Sequence, residues 1–311
     1  MAQGVPSNFP NGFRNGVVIK GLPLSVTNPG KVFWVNGSTA LAPGGVGGSN
    51  SNDGTYQRPF ATIDYAVGQC TANRGDIIMV MPGHSETISS ATSLVLDVAG
   101  VAVIGLGSGS LRPDLNFSNT AGSVEIDAAD VTLYNLTLTA DVSAVVVGVN
   151  VDAAGATIDS CEFRYNATGD DFKTMIDVDA VADCVINNCT FHAEEAAGCE
   201  EAIRIDTATR AKITNCHFTG DFTDGAIIGE GAASTGIRIS DNYIYNSDTT
   251  GGEVIDLNVA CTGLIVNNRC GTLFPTAPET AFDPGSCLCL ENYVANAIDE
   301  SGIIVPTTLS T

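Results

Sequence analysis

Four segments of the chain decide its fold: VTLYNLTL at residues 131–138, ATIDSCEF at 156–163, CVINNCTF at 184–191 and AKITNCHF at 211–218. In each, an apolar marker residue precedes a polar residue, usually Asn, by two positions. The same marker recurs along the chain at Ile104, Leu133, Ile158, Ile186, Ile213, Ile239, Val266 and Leu290. These markers are roughly 27 residues apart, a period typical of solenoid proteins.

Three kinds of solenoid have repeats of about this length, and the residue pattern separates them. Leucine-rich repeats need a recurring L-x-x-L-x-L run, which is missing here, and helical repeats need apolar residues at a helical spacing. The segments instead alternate apolar and polar residues with a period of two, as β-strands do. The sequence therefore predicts an all-β fold, a single-stranded right-handed parallel β-helix.

The aligned segments predict columns of like residues, with one residue from each coil. Two positions after the marker, the column holds Ser160 and six Asn or Asp residues: Asn135, Asn188, Asn215, Asp241, Asn268 and Asn292. Asn tolerates a left-handed backbone, and its amide can hydrogen-bond to the same residue type one coil away. We therefore expect an asparagine ladder at a sharp turn.

Two further columns are expected to face the core. Beside the ladder, three successive coils supply Cys161, Cys189 and Cys216, which can pack as small buried hydrophobes. Two positions further along the strand lies an aromatic stack, formed by Phe163, Phe191 and Phe218. The ten Cys are accordingly interpreted as reduced packing thiols rather than as a disulfide framework.

The chain is expected to have three parts. Residues 1–48, rich in Gly, Pro and Asn, form an N-terminal arm that packs on the solenoid or on a partner, residues 49–295 form the β-helix, and residues 296–311 form a C-terminal tail. A short amphipathic helix near residues 62–70, with Thr62 as its N-cap, is expected to cover the open first coil, because solenoids need capped ends.

The charge balance narrows the possible partners. With 35 acidic and 13 basic residues, the chain carries a formal net charge of −22, which repels nucleic acid and anionic membrane surfaces. No apolar run approaches the ~18 residues of a membrane span, and the first residues lack the pattern of a signal peptide. We therefore expect synthesis in a cytoplasm, with neither nucleic acid nor membrane as a partner.

One stretch resembles a known superfamily, the pectate-lyase-like right-handed β-helices, and the likeness extends over about residues 49–295. Its elements occur in order: DGT at 53–55, Pro59, TI-x-x-AV at 62–67, GD at 75–76 and PG at 82–83. That superfamily holds lyases, hydrolases, esterases, phage tailspikes and non-enzymatic virion proteins, so the resemblance implies a fold and not an activity. The sequences of GKVFWV at 30–35 and of residues 59–87 resemble virion-associated proteins of tailed bacteriophages more than they resemble secreted plant-wall enzymes. This resemblance implies that the chain is a virion component.

A search for catalytic groups finds no supported set. Hydrolysis of the polygalacturonase type needs paired carboxylates and a G-H-G segment, which is missing, and the adjacent Asp170 and Asp171 would point in opposite directions. Pectate-lyase chemistry needs carboxylates that hold calcium beside a basic residue. Charged residues that recur at coil spacing are instead expected to form ion pairs: Arg204, Arg210, Arg238, Glu194, Glu195, Glu200 and Glu201.

The sequence predicts no metal-binding, cofactor-binding or catalytic residue. His84, His192 and His217 are scattered along the chain, and the Cys column is expected to face the core, so convergent zinc ligands are not predicted. GLGSGS from Gly105 lacks the following helix that a dinucleotide-binding loop needs.

The leading hypothesis is a non-enzymatic structural protein of a tailed-phage virion, made in the host cytoplasm: a homotrimeric decoration (cement) protein on the capsid exterior. In this hypothesis the N-terminal arm binds the major capsid protein or another virion protein, with Phe9, Phe13, Phe33 and Trp34 as candidate docking residues. The homotrimer is implied by the resemblance to virion β-helices.

Two alternatives stay open. A tail-fibre or tailspike module would bind or degrade a bacterial surface polysaccharide, although 1 Trp and 7 Tyr offer few rings for stacking on sugars. A secreted pectin-type enzyme would need the signal peptide and the motifs that this sequence lacks.

Overall fold

The computed structural model describes residues 18–19, 22–23, 30–37, 47–195, 198–229, 231–258, 260–298 and 302–305. Its first two strands, β1 (Val18–Ile19) and β2 (Leu22–Pro23), pair with each other in an antiparallel hairpin. The other strands of the described residues form three long sheets, and each coil contributes one strand to each sheet in turn.

Sheet 1 has ten strands, and their order in space is their order in sequence. They are β3 (Val32–Val35), β4 (Ile77–Val80), β7 (Ala102–Gly105), β10 (Thr132–Tyr134), β13 (Thr157–Asp159), β16 (Val185–Asn187), β19 (Lys212–Thr214), β22 (Thr235–Ser240), β25 (Thr262–Val266) and β28 (Leu288–Leu290).

Sheet 2 also has ten strands, which follow those of sheet 1 after a sharp turn. They are β5 (Ser85–Ile88), β8 (Asp114–Phe117), β11 (Thr137–Ala140), β14 (Glu162–Tyr165), β17 (Thr190–His192), β20 (His217–Gly220), β23 (Tyr243–Asn246), β26 (Arg269–Thr272), β29 (Asn292–Ala295) and β30 (Ile303–Val305).

Sheet 3 has eight strands, reached from sheet 2 by more variable turns. They are β6 (Leu94–Val95), β9 (Val124–Ile126), β12 (Val145–Val151), β15 (Phe172–Asp179), β18 (Cys199–Asp206), β21 (Phe222–Gly229), β24 (Glu253–Leu257) and β27 (Phe282–Asp283).

Neighbouring coils pair in parallel, as the alternating pattern predicts. Leu133 of β10 pairs with Ile158 of β13, which pairs with Ile186 of β16, and all three are fully or almost fully buried. Because side chains alternate across a strand, the residues between them face outward. The predicted right-handed parallel β-helix is confirmed.

The core is a continuous apolar column inside the three sheets. In sheet 2, the rings of Phe163, Phe191 and Phe218 stack, with centroids 5.0 Å and then 4.6 Å apart. All three rings are fully buried, which confirms the predicted aromatic stack. Burial of such a ring contributes about 1.5–3 kcal/mol, so this stack is a large part of the local stability.

The sharp turn between sheets 1 and 2 uses one left-handed residue in each coil. Its positive φ values are near 55–60° at Asn135, Ser160, Asn188, Asn215, Asp241, Asn267 and Glu291. The first five match the expected ladder, and Asn188 donates to Ser160 Oγ over 3.0 Å. Asn is favoured here because its short polar side chain tolerates this backbone.

In the last two coils the predicted ladder is wrong by one residue: the left-handed residues are Asn267 and Glu291, each one position before the predicted Asn. Strand pairing aligns Ile239 with Ile265 and Ile265 with Cys289, so Val266 and Leu290 are not the markers of their coils. Asn268 and Asn292 therefore lie outside the exposed turn.

The buried column beside the turn has two chemical halves. Cys161, Cys189 and Cys216 fill it first, each at most 2% exposed. Asn242, Asn268 and Asn292 then continue it, equally buried, and Nδ2 of each donates to Oδ1 of the next, over 3.0 Å and 2.8 Å. We call the three thiols the Cys half and the three amides the Asn half of this column.

The N-terminal end is closed by helix α1 (Ile63–Val67). Thr62 is its N-cap, as predicted, because Thr62 Oγ1 accepts a hydrogen bond from the Tyr65 N–H over 3.3 Å. The helix buries Ile63, Ala66 and Val67 and ends before the predicted residue 70.

Strand β3 places Phe33 and Trp34 in sheet 1, upstream of the expected boundary at residue 49. Phe33 is 9% exposed and packs on Phe60, with ring centroids 5.8 Å apart. Trp34 makes an edge contact with Tyr56, and its backbone bonds to Gly54 and Phe60 over 2.8 Å each. These two aromatic residues are thus part of the solenoid's first layer.

At the C-terminal end, a second short helix, α2 (Pro278–Ala281), precedes β27. Strand β30 falls in the segment expected as a tail, yet it pairs antiparallel with β29 and extends sheet 2. Among the described residues, neither helix approaches the length needed to cross a bilayer.

Candidate functional site

Carboxylates gather along the outer edge of sheet 3. Asp179 pairs with Asp206, and the pairing of Val151 with Ile126 and Val178 places Asp152 between Asp127 and Asp179. Four successive coils therefore carry Asp at one position, at the C-terminal end of their sheet 3 strand. This acidic column was not identified from the sequence, although its recurrence at coil spacing was a visible signal.

The densest part of the acidic column is the group of Glu125, Asp127 and Asp152. Each offers a carboxylate oxygen, and these oxygens lie within 4.8 Å of one another. Asn150 Nδ2 donates to Glu125 over 2.8 Å and to Asp152 over 3.0 Å. Burial, and then the neighbouring carboxylates, raise the pKa of Asp127 and of Asp152. Such an oxygen-rich group has the chemistry that hard divalent cations prefer.

Arg204 lies further along sheet 3 and is held in ion pairs. Its Nε and Nη2 donate to the two carboxylate oxygens of Asp177 over 3.0 Å and 2.5 Å, and Nη1 lies 3.4 Å from Glu201 Oε1. Contact with Asp177 raises the pKa of Arg204, so the guanidinium stays charged and occupied. This geometry makes Arg204 unsuited to proton abstraction.

Two more of the charged residues singled out in the sequence, Glu200 and Arg210, form ion pairs, as expected. Lys173 Nζ lies 2.5 Å from Glu200 Oε1, and Arg210 donates to Asp183 over 2.8 Å and 2.6 Å. The last pair is more than half exposed, so its contribution to stability is small. An Arg-x-Lys triplet, which hydrolysis of the polygalacturonase type needs and which was expected to be missing, does occur at 210–212, and its Arg is engaged in this pair.

Arg238 has a different environment from the one expected. Its Nε donates to Ser240 Oγ over 3.2 Å on the outer side of sheet 1. Glu194 and Glu195 lie instead at the turn between sheets 2 and 3, where Glu195 accepts a hydrogen bond from Ser247 Oγ over 2.9 Å.

The two adjacent carboxylates Asp170 and Asp171 bind different backbone groups. Asp171 Oδ1 accepts from the Ala144 N–H over 2.6 Å, and Asp170 Oδ2 accepts from the Ala167 N–H over 3.1 Å. They are turn-stabilising groups, and no catalytic pair forms between them. At the same turn two coils on, burial raises the pKa of Asp221 to about 6, with Asp248 as the largest neighbouring charge.

The three His residues have separate roles. His84 is buried, where Nδ1 accepts from the Gly37 N–H over 2.7 Å and Nε2 faces Glu86 over 3.1 Å. Glu86 also accepts from the Ile63 N–H at the start of α1, so this network joins the cap to the first coil. His192 and His217 both lie on the outer face of sheet 2, a shared placement that the sequence pattern did not predict.

The outer face of sheet 2 carries a concave surface. An open groove of about 460 Å³ there is lined by Arg164, Tyr165, His192, Thr219 and Tyr245, among others. His192 Nδ1 lies 2.8 Å from Thr219 Oγ1, and burial lowers the pKa of His192. A second, smaller groove continues past Tyr245 toward the C-terminal end.

Of the candidate docking residues, Phe9 and Phe13 lie outside the described residues, and Phe33 and Trp34 lie in β3. Val32 in the same strand is 46% exposed, whereas Phe33 points inward. A docking role for Phe33 would therefore require the first layer of the core to open, and that role stays a prediction.

Several solved structures are similar to this chain, and one of them, a pectate lyase, supports the fold. A pectate lyase, Pel9A, superposes with a TM-score of 0.57 at 13% identity, covering 88% of this chain and 82% of its own. A rhamnogalacturonan lyase gives a TM-score of 0.47 at 11% identity, with coverages of 78% and 74%. The tailspike protein of an Acinetobacter phage gives 0.43 at 14% identity, with coverages of 94% and 59%.

At such low identity, these likenesses concern the fold and carry no activity to this chain. No curated protein sequence matches it. Residues 46–273, which are most of the β-helix, match the model of one protein family. The chain therefore belongs to the family described as "Protein of unknown function (DUF1565)".

Proposed function

We propose that this chain is a non-enzymatic structural protein of a phage virion, with decoration of the capsid exterior as its role. The observation that carries the proposal is that the charged groups considered for catalysis are already bound to other groups of the chain. Arg204 is bound by Asp177 and Glu201, and Asp170 and Asp171 each bind backbone N–H groups. These side chains stabilise the coils and offer no free base beside a carboxylate pair.

The packing of the solenoid suits a structural role. Its coils are joined by parallel strand pairs in three sheets and by two buried side-chain columns, so the rod is held along its whole length. Together with the sequence resemblance to virion-associated proteins, this supports a rigid element on a larger assembly.

The proposal is tested by removing residues 1–29 from the phage gene. This deletion removes Phe9 and Phe13 but keeps β3, which the structure makes part of sheet 1. We expect purified virions to lack the truncated protein while its β-rich circular dichroism is unchanged. Undiminished incorporation would contradict the docking role of the arm. Electron cryomicroscopy of the wild-type virion would contradict the capsid location if density for the chain lay at the tail.

A glycan-binding module is the second candidate, and the groove near His192 is the observation that favours it. Tyr165, Tyr245 and Arg164 line this groove beside hydrogen-bonding groups, a combination suited to sugar hydroxyls and ring faces. Titration with a set of bacterial surface oligosaccharides tests it: binding that is lost in Tyr245→Ala would support this function, and no binding at millimolar concentrations would contradict it.

A further inference from the structure

Two of the turns between sheets 2 and 3 carry Asp at the same position of the coil. Strand pairing places Ala144, Asp171, Gly198 and Asp221 in one column on four successive coils, each directly before a buried residue of sheet 3. Ala144 and Gly198 both have a left-handed backbone, with φ of 60° and 71°. Asp171 and Asp221 therefore each follow a coil with the same backbone conformation at this position.

The two carboxylates differ in the donor that is available to them. Asp171 Oδ1 accepts a hydrogen bond from the Ala144 N–H over 2.6 Å. The corresponding N–H of Gly198 donates instead to the Glu194 carbonyl oxygen over 3.1 Å. Asp221 Oδ1 is buried and has no hydrogen-bond partner among the described residues. Because a buried acceptor without a donor is unfavourable, the environment of Asp221 disfavours its charged form.

The charged groups that act on Asp221 are all carboxylates. Asp248 acts most strongly, followed by Glu195 and Glu194. They come from two different turns, because Asp248 follows β23 whereas Glu194 and Glu195 follow β17. Asp248 is held in place, since its Oδ2 accepts from the Thr250 N–H over 2.8 Å. Burial and the repulsion between these like charges therefore both favour the protonated form of Asp221.

Asp221 is adjacent to one wall of the groove beside His192. Gly220, its neighbour in the chain, lines that groove together with Glu195. Glu195 is exposed and is held across two coils, because its Oε2 accepts a hydrogen bond from Ser247 Oγ over 2.9 Å. A charge on Asp221 therefore repels a carboxylate that forms part of the wall.

We propose that Asp221 is a pH-sensitive switch in this wall of the groove. In the protonated form, its O–H group donates to one of the neighbouring carboxylates and joins the turns of adjacent coils. In the ionised form, it repels Asp248 and Glu195, which weakens the contact of Glu195 with Ser247 and allows the wall to move outward. Burial raises the pKa of Asp221 to about 6, so the change occurs in the mildly acidic range. The inference does not depend on what the groove binds.

The direction of the pH dependence follows from the raised pKa. The folded chain keeps this proton up to about pH 6, whereas an ordinary Asp in the unfolded chain releases it near pH 3.8. The stability that the protonated carboxyl contributes is therefore complete below pH 3.8 and is lost as the pH rises through about 6. Asp221→Asn is uncharged at every pH, so it keeps that contribution.

The test is chemical denaturation of the full chain and of Asp221→Asn between about pH 4 and pH 7. We expect the folded-to-unfolded ratio of the variant, relative to that of the wild type, to rise about tenfold over this range. The rise is smaller than the full difference in pKa implies, because Asp221 is partly exposed. Asp183→Asn controls for the change in net charge. Asp183 is more than half exposed, and its hydrogen bond with Arg210 lowers its pKa, so its small effect should have the opposite direction.

Hydrogen exchange tests the movement of the wall itself. The Cys199 N–H, which donates to the Asp221 carbonyl oxygen over 2.9 Å, should exchange about threefold faster in the wild type than in Asp221→Asn at pH 7.5. At pH 5 the two proteins should exchange at nearly the same rate, because the wild-type carboxyl is then protonated. Each comparison is made at one pH, so the intrinsic exchange rate cancels.

Glu195→Gln tests the source of the repulsion. This variant removes one like charge and keeps an acceptor for Ser247, so the stability transition that depends on Asp221 should move to lower pH. A stability ratio that does not change with pH, an exchange difference that is equal at both pH values, or an unmoved transition in Glu195→Gln would each overturn the proposal.

Discussion

The Cys half and the Asn half of the buried column fill the same position in successive coils with different chemistry. In the Cys half, Cys189 Sγ lies 3.5 Å from the Ile158 carbonyl oxygen, a weak contact of a thiol that also packs as a hydrophobe. In the Asn half, Asn268 Nδ2 donates to the Ile239 carbonyl over 3.1 Å and to Asn292 Oδ1 over 2.8 Å. The two halves meet directly, because Cys216 and Asn242 lie on adjacent coils.

The difference teaches that a buried amide depends on its neighbours, whereas a buried thiol does not. Asn268 Oδ1 accepts from both the backbone N–H and the Nδ2 of Asn242, over 3.1 Å and 3.0 Å. Each amide therefore satisfies groups on the coil before it and is satisfied by the coil after it. Buried polar groups are stable only when they are paired in this way. The stability of each amide in the Asn half therefore depends on the amides of the neighbouring coils.

The largest expected effect comes from cutting that run in the middle. Asn268→Ala leaves the Asn242 N–H without its acceptor and removes one hydrogen bond each from Asn242 Nδ2, Asn292 Oδ1 and the Ile239 carbonyl, all in a buried site. We expect a loss of about 3–5 kcal/mol in unfolding free energy, measured by chemical denaturation.

The adjacent Asn267 is the matched control for this substitution. It lies at the exposed turn with φ near 58° and donates to Asp241 over 2.7 Å. Asn267→Ala should cost only about 1 kcal/mol, the difference in left-handed preference. Equal costs at the two positions would contradict the distinction between turn and column.

A smaller effect is expected when Asn is introduced into the Cys half at different distances from the run. In Cys216→Asn, the new amide can donate to Asn242 Oδ1, which already accepts from the Cys216 N–H over 2.9 Å. In Cys161→Asn, the neighbours are Leu136 and Cys189, which offer no amide. We expect Cys161→Asn to be less stable than Cys216→Asn by about 1–2 kcal/mol in thermal or denaturant unfolding. Identical stabilities would refute the dependence on neighbours.

The smallest expected effect is on thiol reactivity, because the Cys half should be as inaccessible to reagents in solvent as the Asn half. Cys161, Cys189 and Cys216 are at most 2% exposed, and burial raises the pKa of the Cys189 thiol. Half-buried Cys70 and Cys289, whose pKa values are raised to about 12 and about 11, should react first with a thiol reagent near pH 8. Rapid modification of the three column thiols in the folded protein would show that this half opens.

The sequence predicted the coil, its period and most of its columns, because parallel coils repeat one pattern of inward and outward residues. It missed the register of the last two coils. IVNN at 265–268 offers two adjacent Asn and two adjacent β-branched residues, Ile265 and Val266, so the pattern fits equally well when it is shifted by one. The strand pairing resolves the choice, because only Ile265 aligns with buried Ile239.

The surfaces were harder to predict than the core. Asp152 and Asp179 lie on neighbouring coils but 27 residues apart, and they become one acidic column only after sheet 3 is registered separately from sheets 1 and 2. His192 and His217 share a face for the same reason, although they belong to different positions of the repeat. Charge and aromatic patterns on such a fold are properties of the stack, and a single segment does not carry them.

The one left-handed residue that turns each coil also makes the molecule extensible in fixed steps. Every coil pairs its strands with the coil above and the coil below, so an added coil repeats strand pairings that are already present. Evolution can therefore lengthen this rod in increments of about 4.8 Å. The distance that it extends from any surface to which it binds is set by the number of its coils.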